Sequence, residues 1–319
     1  MGSEELARRF LHVNLNCESL ERSERVYVGR LGLSARMRTD GKVATDGSIL
    51  GIDGGETFCE TSFLYDTRGG RAGCALEAIE FHKPALKADP NSDPTRPGIR
   101  STLLTVADLD ATVTALRDAG LSVSGPVDGL ISGSKSVLAM DPDGAVIEVA
   151  EAPSDKPGAV FAGIRIAAID AVATGEFLTA IGFAQVQAPA HVEVAGDQFA
   201  PGGSASAVKC AVSRYTLVED AHQFSLTVVA HPDTRKADPV PWGGNRQGLY
   251  RCALRVENTE AAMSLVPDSV EVMGDPVWCP LPGTKIEGLY ISFLRSPDGV
   301  VFEFVERPLK HFSPPAARN

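Results

Sequence analysis

No stretch of this 319-residue chain approaches about 18 uninterrupted apolar residues, so no membrane-spanning helix is expected. The start, MGSEELARRF, has no apolar segment of the kind a secretory signal needs. Basic charge is in deficit: 30 Lys and Arg stand against 41 Asp and Glu, a net −11, which argues against nucleic acid or an anionic membrane as the main partner. The six cysteines (Cys17, Cys59, Cys74, Cys210, Cys252 and Cys279) never fall in CxxC spacing, which excludes a zinc knuckle and a dense disulfide frame. Apolar content of 44% and charge of 22% are those of an ordinary globular protein. These exclusions leave a soluble, acidic, cytoplasmic chain, monomeric or homodimeric, whose partner is a small molecule. Its length suits two domains of about 150 residues.

What the chain has in abundance is repetition. Residues 140–153, MDPDGAVIEVAEAP, are written again at 295–308 as RSPDGVVFEFVERP, 155 positions later. Each copy sets a Pro-Asp-Gly turn before an alternating apolar strand, with Pro fixing φ and Gly accepting a positive φ. Each strand carries one glutamate in its middle, Glu148 or Glu303, costly to bury unless something pairs with it. A second level of repeat lies beneath. HVNLNCESLERSERVYVGRLGL (12–33) overlies STLLTVADLDATVTALRDAGL (101–121), each a strand, an acidic turn, an amphipathic helix and Gly-Leu. Val113, Leu116 and Leu121 give the second helix its apolar spacing and Asp108 its cap. Weaker copies at 163–183 and 251–273 bring the count to four modules, two per half. The polar, Pro-containing segment 153–159 reads as the linker between domains at 1–152 and 160–308.

LHVNLNCESLERS, TVADLDATVTALRDAG and DPDGAVIEV resemble the vicinal oxygen chelate superfamily, which includes glyoxalase I and bleomycin-resistance proteins. The resemblance spans nearly the whole chain as a tandem repeat, more eroded in the second half. It implies an α+β fold of two domains, each of two βαβββ modules curling into an eight-stranded cup. It also implies four metal-ligand positions per cup, taken from the first and last strands of its modules. In the first half these fall on His12, Glu77, Ser101 (where relatives carry His) and Glu148. Alternation independently puts His12, Asn14 and Asn16 on one polar face of the first strand, with Leu11, Val13 and Leu15 opposite. His12, Glu77 and Glu148 would suit Mn²⁺, Fe²⁺, Mg²⁺ or Zn²⁺. In the second half the positions are Gly163, Thr227, Arg251 and Glu303. A guanidinium there can replace the cation and pair with Glu303, and Arg165 and Arg255 share its expected face.

Three functions follow. The first is a metal-dependent, non-redox isomerase, epimerase or lyase acting on a small oxygenated substrate. Here His12, Glu77 and Glu148 hold the ion, Glu148 or Glu77 moves the proton, and Asn14, Asn16 and Ser101 contact substrate. The second is a metal-free protein that binds a drug or biosynthetic intermediate, with Trp242 and Trp278 as stacking surfaces. The third is a metal-free rearrangement or cyclisation enzyme using Arg165, Arg251, Arg255 and Glu303. Against these stand plainer readings: Glu80 solvated on the face opposite Glu77, His82 at a strand exit, and His191, His222, His231 and His311 on the surface. Cys17 and Cys252 read as core thiols, and Asp143 and Asp298 as turn formers. Whether modules pair within a half or are exchanged between halves is open. Exchange would set His12 and Glu77 against Arg251 and Glu303.

Overall fold

Four modules repeat one order of elements in the computed structural model, which describes residues 5–52, 55–88, 93–281 and 288–309. The first runs β1 (Arg9–Cys17), α1 (Leu20–Tyr27), β2 (Ser34–Arg38), β3 (Thr45–Asp46), β4 (Glu56–Tyr65) and β5 (Ala75–Lys83). The second is β6 (Gly98–Val106), α2 (Leu109–Asp118), β7 (Val123–Asp128), β8 (Lys135–Met140) and β9 (Val146–Glu151). The third is β10 (Val160–Ala167), α3 (Ala171–Ala180), β11 (Ala184–Ala195), β12 (Ala207–Thr216) and β13 (Ser225–Ala230). The fourth is β14 (Gly248–Val256), α4 (Thr259–Leu265), β15 (Glu271–Val272), β16 (Val277–Pro280), β17 (Gly288–Arg295) and β18 (Val301–Glu306).

Each helix starts where the sequence supplies a cap. Ser19, Asp108, Asp170 and Asn258 are extended and accept from backbone N–H groups of the first turn. A second carboxylate reinforces three of these starts. Glu80 accepts from Leu20 N at 2.8 Å, Glu151 from Leu109 N at 3.4 Å and Glu306 from Thr259 N at 3.0 Å. Each lies three residues after Glu77, Glu148 or Glu303 on the same strand, and therefore on the opposite face. Glu80 is thus on the expected face, but it holds a helix start rather than standing free in solvent.

The modules pair between halves. One sheet has the order β15-β17-β18-β14-β1-β5-β4-β2, with β16 on β17 and β3 on β4, ten strands from the first and fourth modules. The other has the order β11-β12-β13-β10-β6-β9-β8-β7, eight strands from the second and third. The seams are antiparallel: His12 stands opposite Ala253 where β1 meets β14, and Ser101 opposite Arg165 where β6 meets β10. The expectation of one curled sheet within 1–152 and another within 160–308 is corrected accordingly. The reason is visible at the connector 152–159. β9 is parallel to β6 and β10 antiparallel to it, so a short link carries the chain over a single strand into the same sheet. The expected linker thus joins two modules of one cup.

One apolar cluster holds both sheets together. It takes Val13 and Leu15 from β1, Ile147 and Val149 from β9, Ile164 and Ile166 from β10, and Phe302 and Phe304 from β18, with Tyr27, Leu116 and Leu178 from the helices. Carboxylates reinforce this junction at four points. Asp143 accepts from Glu18 N and Asp298 from Ile169 N, so each Pro-Asp-Gly turn reaches a helix start in the other sheet. Asp220 accepts from Phe10 N at 2.7 Å and Asp66 from Phe161 N at 3.1 Å, bonding the β1 and β10 backbones at equivalent positions. Asp143 and Asp298, read from sequence as turn formers, therefore also join the sheets.

Candidate functional site

The faces turned away from the shared core carry the charged groups. In the first cup His12 of β1, Glu77 of β5, Arg251 of β14 and Glu303 of β18 come from four adjacent strands. Arg251 bridges the two carboxylates, donating from Nη2 to Glu77 Oε2 at 3.0 Å and from Nε to Glu303 Oε2 at 3.1 Å. His12 Nε2 lies 3.3 Å from Glu77 Oε2 and 3.8 Å from Glu303 Oε2, and its ring meets Phe63 edge-on. The carboxylates and the guanidinium keep only 7–8% of their side-chain surface, and the imidazole 13%. Two nitrogens of this buried cluster, Arg251 Nη1 and His12 Nε2, make no hydrogen bond among the described residues.

Charge governs the chemistry here. Burial alone would push the Glu303 carboxyl up, but the nearby His12 and Arg251 outweigh it and hold the group below the usual carboxylate range. The Arg251 guanidinium loses solvent too, yet Glu77 and Glu303 hold its proton more tightly than water would. Around the charges the wall is apolar. Ala253, Val301, Val305, Ile291 and Phe293 pack together there, with Trp242 against Phe293 at 6.0 Å between ring centres.

Glu148 is elsewhere. The expected set of His12, Glu77 and Glu148 is not brought together, because exchange of modules sends β9 to the second sheet. There Glu148 accepts from Ile131 N at 3.0 Å and Ser132 N at 2.8 Å, anchoring the loop between β7 and β8. Arg165 is parted from Arg251 and Arg255 for the same reason, and lies beside Ser101 and Thr227. Arg255 is taken up by Glu219, Glu257 and the Arg307 carbonyl, structural links rather than a cup lining. Asn14 and Asn16 are fully buried. Asn14 donates to Asn16, and Asn16 to the carbonyls of Gly244 and Arg246, so the pair ties a loop to β1, while Asn14 Oδ1 makes no hydrogen bond among the described residues.

Of the histidines set aside, His191 and His222 are exposed. His231 is buried against Phe199, its Nδ1 accepting from Asp233 N at 3.0 Å, a departure from the expected surface position. His311 lies outside the described residues. Burial pushes the Cys17 thiol up to about 12 and raises Cys252 as well, in keeping with core thiols. Trp278 is half exposed and meets Tyr290 edge-on.

A divalent ion does not fit the first cup as arranged. Arg251 already takes Oε2 of both Glu77 and Glu303, and an ion there would stand against a guanidinium that cannot lose its proton. Among the described residues no group of three or more His, Cys, Asp or Glu side chains is arranged to hold a metal.

The model of the Glyoxalase/Bleomycin resistance protein/Dioxygenase superfamily matches residues 9–149. Glyoxalase I from Zea mays has 15% sequence identity and a TM-score of 0.65, covering 94% of this chain and 92% of its own. A variant of that enzyme gives 17%, 0.66 and 96% of both chains. A candidate dioxygenase from Bacillus subtilis gives 12%, 0.62, and 96% and 88%. No curated protein matches by sequence. At these identities the structural likenesses establish the fold, two curled sheets of paired modules with few helices, and they extend it past the matched segment. Residues 9–149 thus match the glyoxalase, bleomycin-resistance and dioxygenase superfamily, and the chain as a whole shares the fold of the two-sheet glyoxalase I structures.

Proposed function

We infer that the first cup binds a small, neutral, oxygenated organic molecule without a metal ion in its ligand set, and that the protein acts as a binding or sequestering protein of this superfamily. The observation that carries the reading is the unpaired Nη1 of Arg251, a buried charged donor facing a cup of apolar wall. A ligand carbonyl or hydroxyl oxygen accepting from it would satisfy a group otherwise costly to bury. Two carboxylates against one guanidinium leave no net positive charge among these three groups, so an anionic ligand is disfavoured there. Glu303, held low by its neighbours, is a weak base at neutral pH.

A second reading is favoured by one contact. His12 Nε2 lies 3.3 Å from Glu77 Oε2 without a hydrogen bond, so this pair could pass a proton to or from a bound carbonyl compound. The class of reaction would then be isomerisation or elimination, with Arg251 stabilising the developing oxyanion.

A panel of small ketones, quinones and hydroxylated aromatics, followed by Trp242 fluorescence and product analysis, tests both. Saturable binding without turnover, weakened at least tenfold in Arg251→Met, is expected. Turnover abolished by Glu77→Gln would favour the second reading, and binding indifferent to Arg251→Met would refute the site.

A further inference from the structure

The second cup contains a different unpaired charge. Arg165 is buried to 1% of its surface. It donates from Nε to Ser101 Oγ at 3.1 Å and from Nη1 to the Pro94 carbonyl at 3.2 Å, and its guanidinium sits 5.2 Å from the centre of the Phe199 ring. Among the described residues no carboxylate pairs with it. Glu148 is the acidic group whose field reaches it, but both Glu148 oxygens are committed to backbone N–H groups at 131 and 132. Arg165 Nη2 has no hydrogen-bond partner, and neither has the fully buried Thr227 Oγ1 on the neighbouring strand.

Register makes these groups one row. Ser101 on β6, Arg165 on β10, Thr227 on β13 and Arg214 on β12 stand opposite one another across four adjacent strands, on one face of the sheet. A second arginine therefore stands two strands from the first, with Thr227 between them. An unpaired buried cation costs several kcal/mol, and burial pulls the Arg165 guanidinium down to about 10. A ligand that supplies one negative charge and two acceptor atoms removes both deficits together, bonding Nη2 and the threonine hydroxyl. The surroundings select its body: Phe199 with Val212 and Val229, and Leu103 with Ala150, form apolar clusters in this cup.

We propose that the second cup is a binding site for a small organic carboxylate with an apolar body, held by Arg165 and Thr227 on the face where Ser101 and Arg214 complete the row. This site is separate from the first cup, which carries a bridged arginine and no net positive charge. The two cups of one chain thus recognise ligands of different charge, a neutral molecule in the first and an anion in the second.

The test is calorimetric and thermal titration of the full chain with benzoate, butyrate and inorganic phosphate at low ionic strength. Benzoate or butyrate should saturate one site per chain and raise the melting midpoint, with phosphate weaker than either. Arg165→Met should weaken carboxylate binding at least tenfold while leaving the protein folded, because it replaces an unpaired buried charge by an apolar chain of similar length. Thr227→Val should weaken binding by a smaller factor. In NMR of protein ¹⁵N-labelled at arginine, the Arg165 Nε resonance should move with carboxylate and not with chloride. Tighter binding of phosphate than of either carboxylate would overturn the organic-acid assignment. Undiminished carboxylate binding in a folded Arg165→Met chain, or no saturation by any of the three anions, would overturn the site.

Discussion

The two cups are built from the same four strand positions, and they differ in how an arginine is neutralised. In the first, Arg251 lies between Glu77 and Glu303 and both carboxylates are committed to it. In the second, Arg165 has no carboxylate partner among the described residues, and Glu148 has turned to the backbone N–H groups of its own loop. The backbone is conserved between cups, and four side chains decide what each can hold. A divalent ion suits neither as arranged: the first already contains a cation, and the second offers a hydroxyl, a methyl-bearing threonine and an occupied carboxylate. Fold and chemistry are thus separable here, as expected where sites are grafted on a common frame.

The largest effect should come from breaking the Arg251 bridge. Arg251→Met leaves two buried carboxylates facing each other without a cation, and should cost about 3–5 kcal/mol of stability, measured by denaturant unfolding. Adding Glu77→Gln and Glu303→Gln to that variant should recover most of the loss, since the repulsion goes with the charges. Arg251→His sharpens the comparison in the other direction. It restores the residue type that the family resemblance implies at this position, beside His12, Glu77 and Glu303. About one divalent ion per chain should then bind, by calorimetry, where the native chain binds none in this cup. Equal uptake by both proteins would show that the guanidinium does not stand in for the ion.

A smaller effect distinguishes Glu148 from Glu151. Glu148 is 2% exposed and receives two charged hydrogen bonds, so Glu148→Gln should cost about 1–3 kcal/mol and loosen residues 129–134, seen by amide exchange. Glu151 is exposed and accepts one long bond at 3.4 Å from a helix start, so Glu151→Gln should stay within about 0.5 kcal/mol. Equal effects would mean that the strand faces are wrongly assigned.

Much of this was legible in the chain. The Pro-Asp-Gly strand written twice marked the duplication, and alternation along β1 placed His12 on the site face. His12, Glu77, Arg251 and Glu303 were each singled out, and their grouping was foreseen only as the outcome of exchanged pairing, which the sequence left open. Pairing of modules is a long-range choice, and no local propensity along β1 says whether β6 or β14 will lie beside it. The misplacement of Glu148 with His12 follows from that alone. The burial of Asn14 and Asn16 was hidden for a different reason: alternation gives the face of a strand, not what loop covers it. The cross-sheet roles of Asp66, Asp143, Asp220 and Asp298 depend on the same tertiary choice. One local signal was available and unused. Glu-x-x-Glu recurs at 77–80, 148–151 and 303–306, a site residue on one face and a helix-start acceptor on the other, and is missing at 227–230 where the sequence reads TVVA.

The smallest effect concerns the junction between the cups, and its sign can be worked out. Burial pushes Asp220 and Asp141 up to about 7 and Asp298 up to about 6, against roughly 3.9 in an unfolded chain. Between those limits the folded protein holds more protons than the unfolded one, so stability is greatest below the unfolded value and is lost as pH rises through 6 to 7. Glu219, Glu257 and Glu303 are lowered and act oppositely, but their contribution is present above about pH 4.3 and is lost only below it. His231, lowered by burial, opposes them within this window, but three aspartates stand against one imidazole, and from pH 5 to pH 8 the melting midpoint should fall. Asp298→Asn keeps an acceptor for Ile169 N and cannot ionise, so it should flatten part of that decline while changing stability at pH 5 by less than about 1 kcal/mol. Because Asp298 reaches from the first sheet to a helix start in the second, the flattening should appear equally in carboxylate binding by the second cup and in Trp242 fluorescence from the first. A midpoint that rises steadily from pH 5 to pH 8 would mean that these aspartates are ionised throughout, with the N–H and O–H groups around them outweighing burial. The two sheets would then be joined by charged bonds, and their union would weaken in acid instead of in base.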